Sequence, residues 1–134
     1  MIDFSQMITP EDQLSKEDRI TRSNIATKRY AVETQGIVVD NMFINTERDS
    51  QGLITGATLS AFMDPTYVCR WKTPVGFVEL DAPTLITISQ EMRKHVQSCF
   101  DREEQLLKAL EAGTYTESML EEGWPSGIYN TAQN

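Results

Sequence analysis

The C-terminal third of the sequence has the clearest helical pattern of apolar residues. These residues recur at intervals of three and four, which is the period of a helix with one buried face. Asp81 is suited to cap such a helix, Pro83 falls in its first turn, and Gly113 is a typical C-terminal residue. We therefore predict a long helix between Asp81 and Gly113. Its apolar positions are Leu85, Ile88, Met92, Val96, Cys99, Leu106 and Leu110.

Strict alternation of side chains predicts a hairpin over residues 67–80. Tyr67, Cys69 and Trp71 fall on one side of the first strand, and residues 77–80 form the return strand. The sequence Thr-Pro-Val-Gly at 73–76 supplies the turn between them.

A second set of strands is predicted between residues 30 and 44. Tyr30, Val32 and Thr34 alternate with their neighbours, Gly36 interrupts the run, and three apolar residues follow. Asp-Asn at 40–41 is then a turn signal before a second apolar triplet. This pattern indicates two or three short antiparallel strands.

The stretch "NTERDSQGLITGA", residues 45–57, has two interpretations. We favour a helix that is capped by Thr46 and ends before Asp64-Pro65. Gly52 and Gly56 would share one side of that helix and allow another element to approach closely. The alternative is a binding or catalytic turn.

The N-terminal part predicts a polar helix from Pro10 to about Arg29, with Thr9 before its first residue. Few of its residues are apolar, so the helix gains little by packing on its own domain. We therefore expect it to bind a partner. Its apolar positions are Leu14, Ile20, Ile25 and Ala26.

Together these elements predict an α+β fold. A small antiparallel sheet of short hairpins is packed by the long C-terminal helix and by a shorter mid-chain helix. We divide the chain into an N-terminal arm at 1–28, a compact domain at 29–125 and a C-terminal tail at 126–134.

Composition narrows the possible functions. The chain has 134 residues, a length typical of one domain. Its formal net charge is −8, and this excess of acidic residues disfavours nucleic-acid binding. No apolar run is long enough to span a membrane, so we expect no membrane insertion. The sequence "MIDFSQMITPEDQ" lacks the basic and apolar regions of a signal peptide.

No catalytic or metal-binding motif is apparent in the sequence. His95 and Cys99 are four residues apart and could form a dyad, but we favour a hydrogen-bonded histidine on the buried side of the helix. Cys69 and Cys99 are expected to be reduced core thiols; a disulfide or a metal pair is the alternative. The acidic residues of the C-terminal third are best explained as a solvated helix face. We predict no enzymatic activity, no cofactor and no metal.

Four segments resemble a domain of unknown function from tailed bacteriophages and prophages. The resemblance covers about residues 29–125, and "IDFSQMITPED" is similar to segments that precede this domain in phage tail proteins. Genes of that family typically lie among tail, baseplate and tail-fibre genes, but no activity or site residue can be carried over. The segments are "RYAVETQGIVVDNMFINTERDSQGLITGA", "WKTPVGFVELDAPTL", "HVQSCFDREEQLLKAL" and "EEGWP".

The resemblance implies a structural or accessory protein of the phage tail tip that binds tail-fibre or baseplate proteins. It would be made in the host cytoplasm and be part of the virion, and the setting is compatible with homo-oligomers. The alternative is a tail-fibre assembly chaperone that is absent from the mature virion. Trp124 either fixes the tail onto the domain or docks on another protein. The predicted partner-binding residues are Phe4, Met7, Ile8, Leu14, Trp124 and Tyr129.

Overall fold

The structure is a computed structural model that describes residues 10–131, with side chains from residue 16 onward. It confirms an α+β fold with a long C-terminal helix and a shorter mid-chain helix. The elements, in chain order, are α1 Pro10–Glu33, β1 Ile37–Val39, β2 Met42–Ile44, α2 Arg48–Met63, β3 Val68–Thr73, β4 Gly76–Asp81, α3 Ala82–Ala112, a 3₁₀ helix Glu117–Glu121 and β5 Ile128–Tyr129.

Helix α3 is the element on which the others pack. As predicted, the Asp81 side chain caps its first turn by accepting from the Thr84 amide at 3.0 Å. Gly113 ends it with a φ of 74°, in the left-handed region that favours glycine. With 31 residues, α3 is about 46 Å long, so it offers separate packing sites to α1 and α2.

Helix α1 runs antiparallel along the C-terminal half of α3. Arg22 lies 3.7 Å from Glu111 near the end of α3, and Arg29 contacts Glu103, about two turns earlier, at 3.2 Å. The fully buried Ile25 is the centre of this contact. Helix α1 crosses the predicted domain boundary at residue 28 without a break, so residues 16–28 contribute to the packing.

The predicted strand at residues 30–34 is wrong, because α1 continues to Glu33. Val32 follows the buried Ile25 by two helical turns, so a helix places both on the face that packs against α3. Over only five residues, the alternation of side chains is compatible with a strand and with about one turn of helix. The tertiary contact therefore decides the structure here.

The sheets are small, as predicted. β1 pairs antiparallel with β2, and the turn between them places Asp40 and Asn41 at φ of 49° and 70°. β3 and β4 form the predicted hairpin, with Thr73 opposite Gly76. The sequence analysis missed β5, which pairs parallel with β1 and brings Tyr129 beside Val39.

Thr46 does not cap α2, contrary to the prediction. The helix begins at Arg48, and the buried Thr46 hydroxyl accepts from the Gly36 amide at 2.9 Å and donates to the Glu33 carbonyl at 2.7 Å. The end of α1 leaves backbone groups without helical partners. Thr46 satisfies one such group, the Glu33 carbonyl, and also the Gly36 amide just beyond the helix, so its hydroxyl is not available to cap α2.

Gly52 and Gly56 share one side of α2, but no other element of residues 10–131 approaches them. A Cβ added at either position meets no atom within 4 Å. The predicted close approach within the chain is therefore wrong. Both glycines face open space.

Replacing both glycines by alanine should stabilise the fold. Alanine is favoured over glycine inside a helix by about 0.8–1 kcal/mol, and no neighbour opposes the added methyl groups. We expect Gly52→Ala with Gly56→Ala to raise the free energy of unfolding by about 1–2 kcal/mol in urea titrations. A loss of stability would show that the helix needs glycine there within the free protein.

Candidate protein-binding surface

Exposed apolar side chains are concentrated on β2, α2 and the hairpin. Of the twelve large hydrophobic side chains that are exposed in the described part of the chain, eight lie between residues 43 and 77. Scattered exposed hydrophobics are normal, but a concentration in one region typically marks an interaction site. We call this set the α2–hairpin surface; it consists of Phe43, Leu53, Leu59, Phe62, Met63, Val68, Val75 and Phe77.

Helix α2 explains much of this exposure. Residues 52–63 include no charged side chain, yet only one side of the helix packs against α3, through Ile54, Thr58 and Ala61. A helix that is apolar on all sides is normally buried on all sides. On the opposite side, Leu59 and Met63 are 61% and 79% exposed, in line with the two glycines. This side of α2 has no partner among the described residues.

A groove of about 530 Å³ lies at the start of α2, between that helix, β2 and β3. Phe43, Leu53 and Phe77 supply much of its apolar lining. All of the residues from Cys69 to Pro74 also line it, in unbroken succession. If a face of the sheet lined the groove, only every second residue of β3 would contact it. Because consecutive residues do so, the edge of β3 lies along the groove.

The charge of the groove is opposite to that of the chain. Arg70 and Lys72 line it, and no Asp or Glu does, although the chain has a net charge of −8. The groove is therefore suited to an apolar segment that also carries negative charge.

A buried carboxylate fixes the start of α2 to the end of α1. Glu33 is fully buried, and its oxygens accept from Arg48 at 2.5 and 2.9 Å, from Arg29 at 2.7 Å and from Gln51 at 2.9 Å. Burial by itself would raise the pKa of Glu33, but the hydrogen bonds from Arg48, Gln51 and Arg29 outweigh it and hold the pKa below its ordinary value. This ionised cluster determines where α2 begins, and so positions the groove.

His95 is a structural residue in the core, as we favoured from the sequence. It is fully buried, with Nε2 3.0 Å from the Val32 carbonyl and Nδ1 2.8 Å from the Tyr129 hydroxyl. A carbonyl only accepts, so Nε2 carries the proton and the Tyr129 hydroxyl donates to Nδ1. His95 thus connects α3 to α1 and to β5. Both of its ring nitrogens are engaged within the fold.

Cys99 lies 3.9 Å from His95 Nε2 but is not placed for nucleophilic chemistry. Cys69 and Cys99 are both free thiols, and Cys99 is fully buried. Burial, with the nearby Glu33 charge, raises the pKa of Cys99 to about 12. The nitrogen nearest its sulfur carries a proton, so it is not available as a base.

Thiol reactivity should separate the two cysteines. The reactive species is the thiolate, and a thiol with a pKa of about 12 supplies almost none at pH 8. We expect the half-buried Cys69 to react with a disulfide reagent at least about tenfold faster than Cys99. Cys69→Ser and Cys99→Ser variants assign the two rates. Fast reaction at Cys99 in the folded protein would contradict its structural role.

The residues predicted to bind partners are not gathered in one site. Trp124 is half-buried, and its indole donates to the Leu120 carbonyl at 2.7 Å, so it is fixed to its own chain. Tyr129 is half-buried beside His95. Phe4, Met7 and Ile8 lie outside the described residues, as does the Leu14 side chain. Their roles in binding remain predictions.

The sequence analysis missed the α2–hairpin surface. The signal for it in the sequence was segment 52–63, which has no charged residue. A helix with only one buried face normally carries charged or polar residues on its other face. Within the described residues, no group of His, Cys, Asp and Glu is arranged to hold a metal ion, and no helix has the length and apolarity to cross a bilayer.

One protein family matches the chain. The model of the family described as a domain of unknown function, DUF4376, matches residues 16–122. The chain belongs to this family. The match begins within α1 and ends just after the 3₁₀ helix, so it includes the α2–hairpin surface. No curated protein and no solved structure matches the chain.

Proposed function

We propose that this protein is a non-enzymatic protein-binding module of a bacteriophage tail, in the tail fibre or the baseplate. The four segments that resemble phage tail-gene products support the setting. The exposed apolar α2–hairpin surface supports the binding role, and it is the observation on which the proposal rests. The burial of Cys99 and His95 favours a non-enzymatic role.

The size of the surface indicates the kind of contact. Leu59, Phe62 and Met63 are 61–79% exposed, and covering them would contribute roughly 1–2 kcal/mol each. Association costs about 4–15 kcal/mol in lost freedom of motion, so these three side chains alone do not hold a partner. A stable contact must also cover the hairpin. We therefore expect the partner to cover about 800 Å² of this protein, with its own apolar residues at the centre of the contact.

Mass spectrometry of purified phage particles tests the setting. We expect the protein at a fixed ratio to the tail-fibre or baseplate proteins of particles that encode it. Its presence in infected cells together with its absence from particles would favour an assembly chaperone instead. In that case the α2–hairpin surface would bind the unassembled fibre, and the tail-component proposal would fail.

A further inference from the structure

The groove has an open strand edge along it, which is the feature that an extended segment requires. Within the described residues, β3 pairs only with β4, so its other edge, which runs along the groove, has no strand beside it. A peptide can add to such an edge by main-chain hydrogen bonds while its side chains enter the adjoining pockets. Arg70 and Lys72 would repel a second β3 edge but attract a segment of opposite charge.

Residues 1–9, "MIDFSQMIT", have the chemistry that this groove requires. Phe4, Met7 and Ile8 are apolar, Asp3 is acidic, and the sequence has no basic residue before Lys16. The segment thus combines apolar side chains with one carboxylate, that of Asp3. The groove lining is apolar with positive charge.

Geometry decides which copy of the chain supplies the segment. The groove adjoins the C-terminal end of α1, where Glu33 holds the start of α2, whereas residues 1–9 precede Pro10 at the other end. With 24 residues, α1 is about 36 Å long. Phe4 precedes Pro10 by six residues, which span at most about 21 Å. Phe4 therefore does not reach the groove of its own molecule.

We propose that residues 2–8 of a second copy of this chain bind in the groove, along the open edge of β3, with Phe4 against Leu53 and Phe77 and Asp3 facing Arg70 and Lys72. This inference rests on the proposed protein-binding function and names one occupant of its surface. The outer side of α2, with Leu59 and Met63, is left for a different partner together with Val68 and Val75, the exposed hairpin residues that do not line the groove.

A disulfide experiment in the full chain tests the contact directly, because Cys69 lines the groove. A Phe4→Cys variant, oxidised with diamide, is expected to form covalent dimers or larger species on non-reducing gels. Adding Cys69→Ser should abolish them. Ile20→Cys, at a 56% exposed position of α1, is the matched control and should link at least tenfold more slowly.

Each other outcome overturns the proposal. Linking no faster than in the Ile20→Cys control would show that Phe4 does not occupy the groove. Linking that survives Cys69→Ser would show a different contact. A disulfide between the thiol introduced at position 4 and Cys69, within a species that stays monomeric, would show that the segment reaches its own groove.

Sedimentation of the otherwise unmodified chain provides a second test. We expect the wild-type protein to self-associate and either Phe4→Asp or Phe77→Asp to weaken association at least tenfold, with Ile20→Asp unchanged. A monomeric wild-type protein at 100 μM would overturn the proposal. Binding to tail proteins through the outer side of α2 would survive that result, so failure here is distinct from failure of the proposed function.

Discussion

Replacing Glu33 by glutamine is expected to lower the free energy of unfolding by about 2–4 kcal/mol. The amide cannot accept from all the donors that now share the carboxylate, and it leaves the largely buried Arg29 with Glu103 as its remaining acidic partner. Arg48 is 53% exposed and can turn to water, so the loss should be below that of a fully buried pair. Urea titrations of the two proteins measure the difference.

The matched control is Glu47→Gln, at an exposed position fourteen residues later in the chain, and we expect it to change stability by less than about 0.5 kcal/mol.

Acid should reveal the same cluster. The folded pKa of Glu33 lies below its ordinary value of 4.5, so its stabilisation is complete above that pH and is lost as the pH falls further. Glu33→Gln should therefore lose less stability than wild type between pH 5 and 2. Equal losses would show that the carboxylate contributes no net stability.

Placing charge on the outer side of α2 should abolish binding to the tail protein without unfolding the domain. The Leu59→Asp, Met63→Asp double variant alters two side chains that are 61% and 79% exposed, so the core is unchanged. If these residues anchor a partner, burying two carboxylates at the contact costs about 3–5 kcal/mol. That corresponds to a loss of affinity of roughly 10²–10³-fold or more, measured by calorimetry with the purified partner.

Ile20→Asp is the control for this experiment. Ile20 is 56% exposed, and it lies on α1, outside the α2–hairpin surface. We expect its affinity for the partner to equal that of wild type. Equal weakening by both variants would indicate a nonspecific effect of charge. An unaffected Leu59→Asp, Met63→Asp variant would place the partner elsewhere on the protein.

Local signals in the sequence predicted the elements whose structure is determined locally. The Asp81 cap, the Gly113 end and the turn at 73–76 depend on neighbours within a few residues, and all three are confirmed. The end of α1 was predicted wrongly because its last turn depends on packing against α3. Thr46 was wrongly predicted to cap α2 for the same kind of reason. Its hydroxyl hydrogen-bonds to Glu33 and Gly36, which are not its neighbours in the sequence.

The candidate surface illustrates a different limit. The uncharged segment 52–63 was visible in the sequence, but a helix that packs on two sides and a helix with one bare side have the same composition. Only the position of α3 shows which side is covered. The basic lining of the groove likewise depends on the hairpin lying beside β2, which no local pattern encodes.

Hydroxyl-radical footprinting of this protein, alone and bound to the proposed tail-fibre or baseplate partner, tests the central claim most directly. The oxidation rates of Leu59, Phe62 and Met63 report whether a partner covers the outer side of α2. We predict at least fivefold slower oxidation at these residues in the complex, with Ile20 unchanged. Full oxidation of all three side chains in a stable complex would contradict a docking role for this surface.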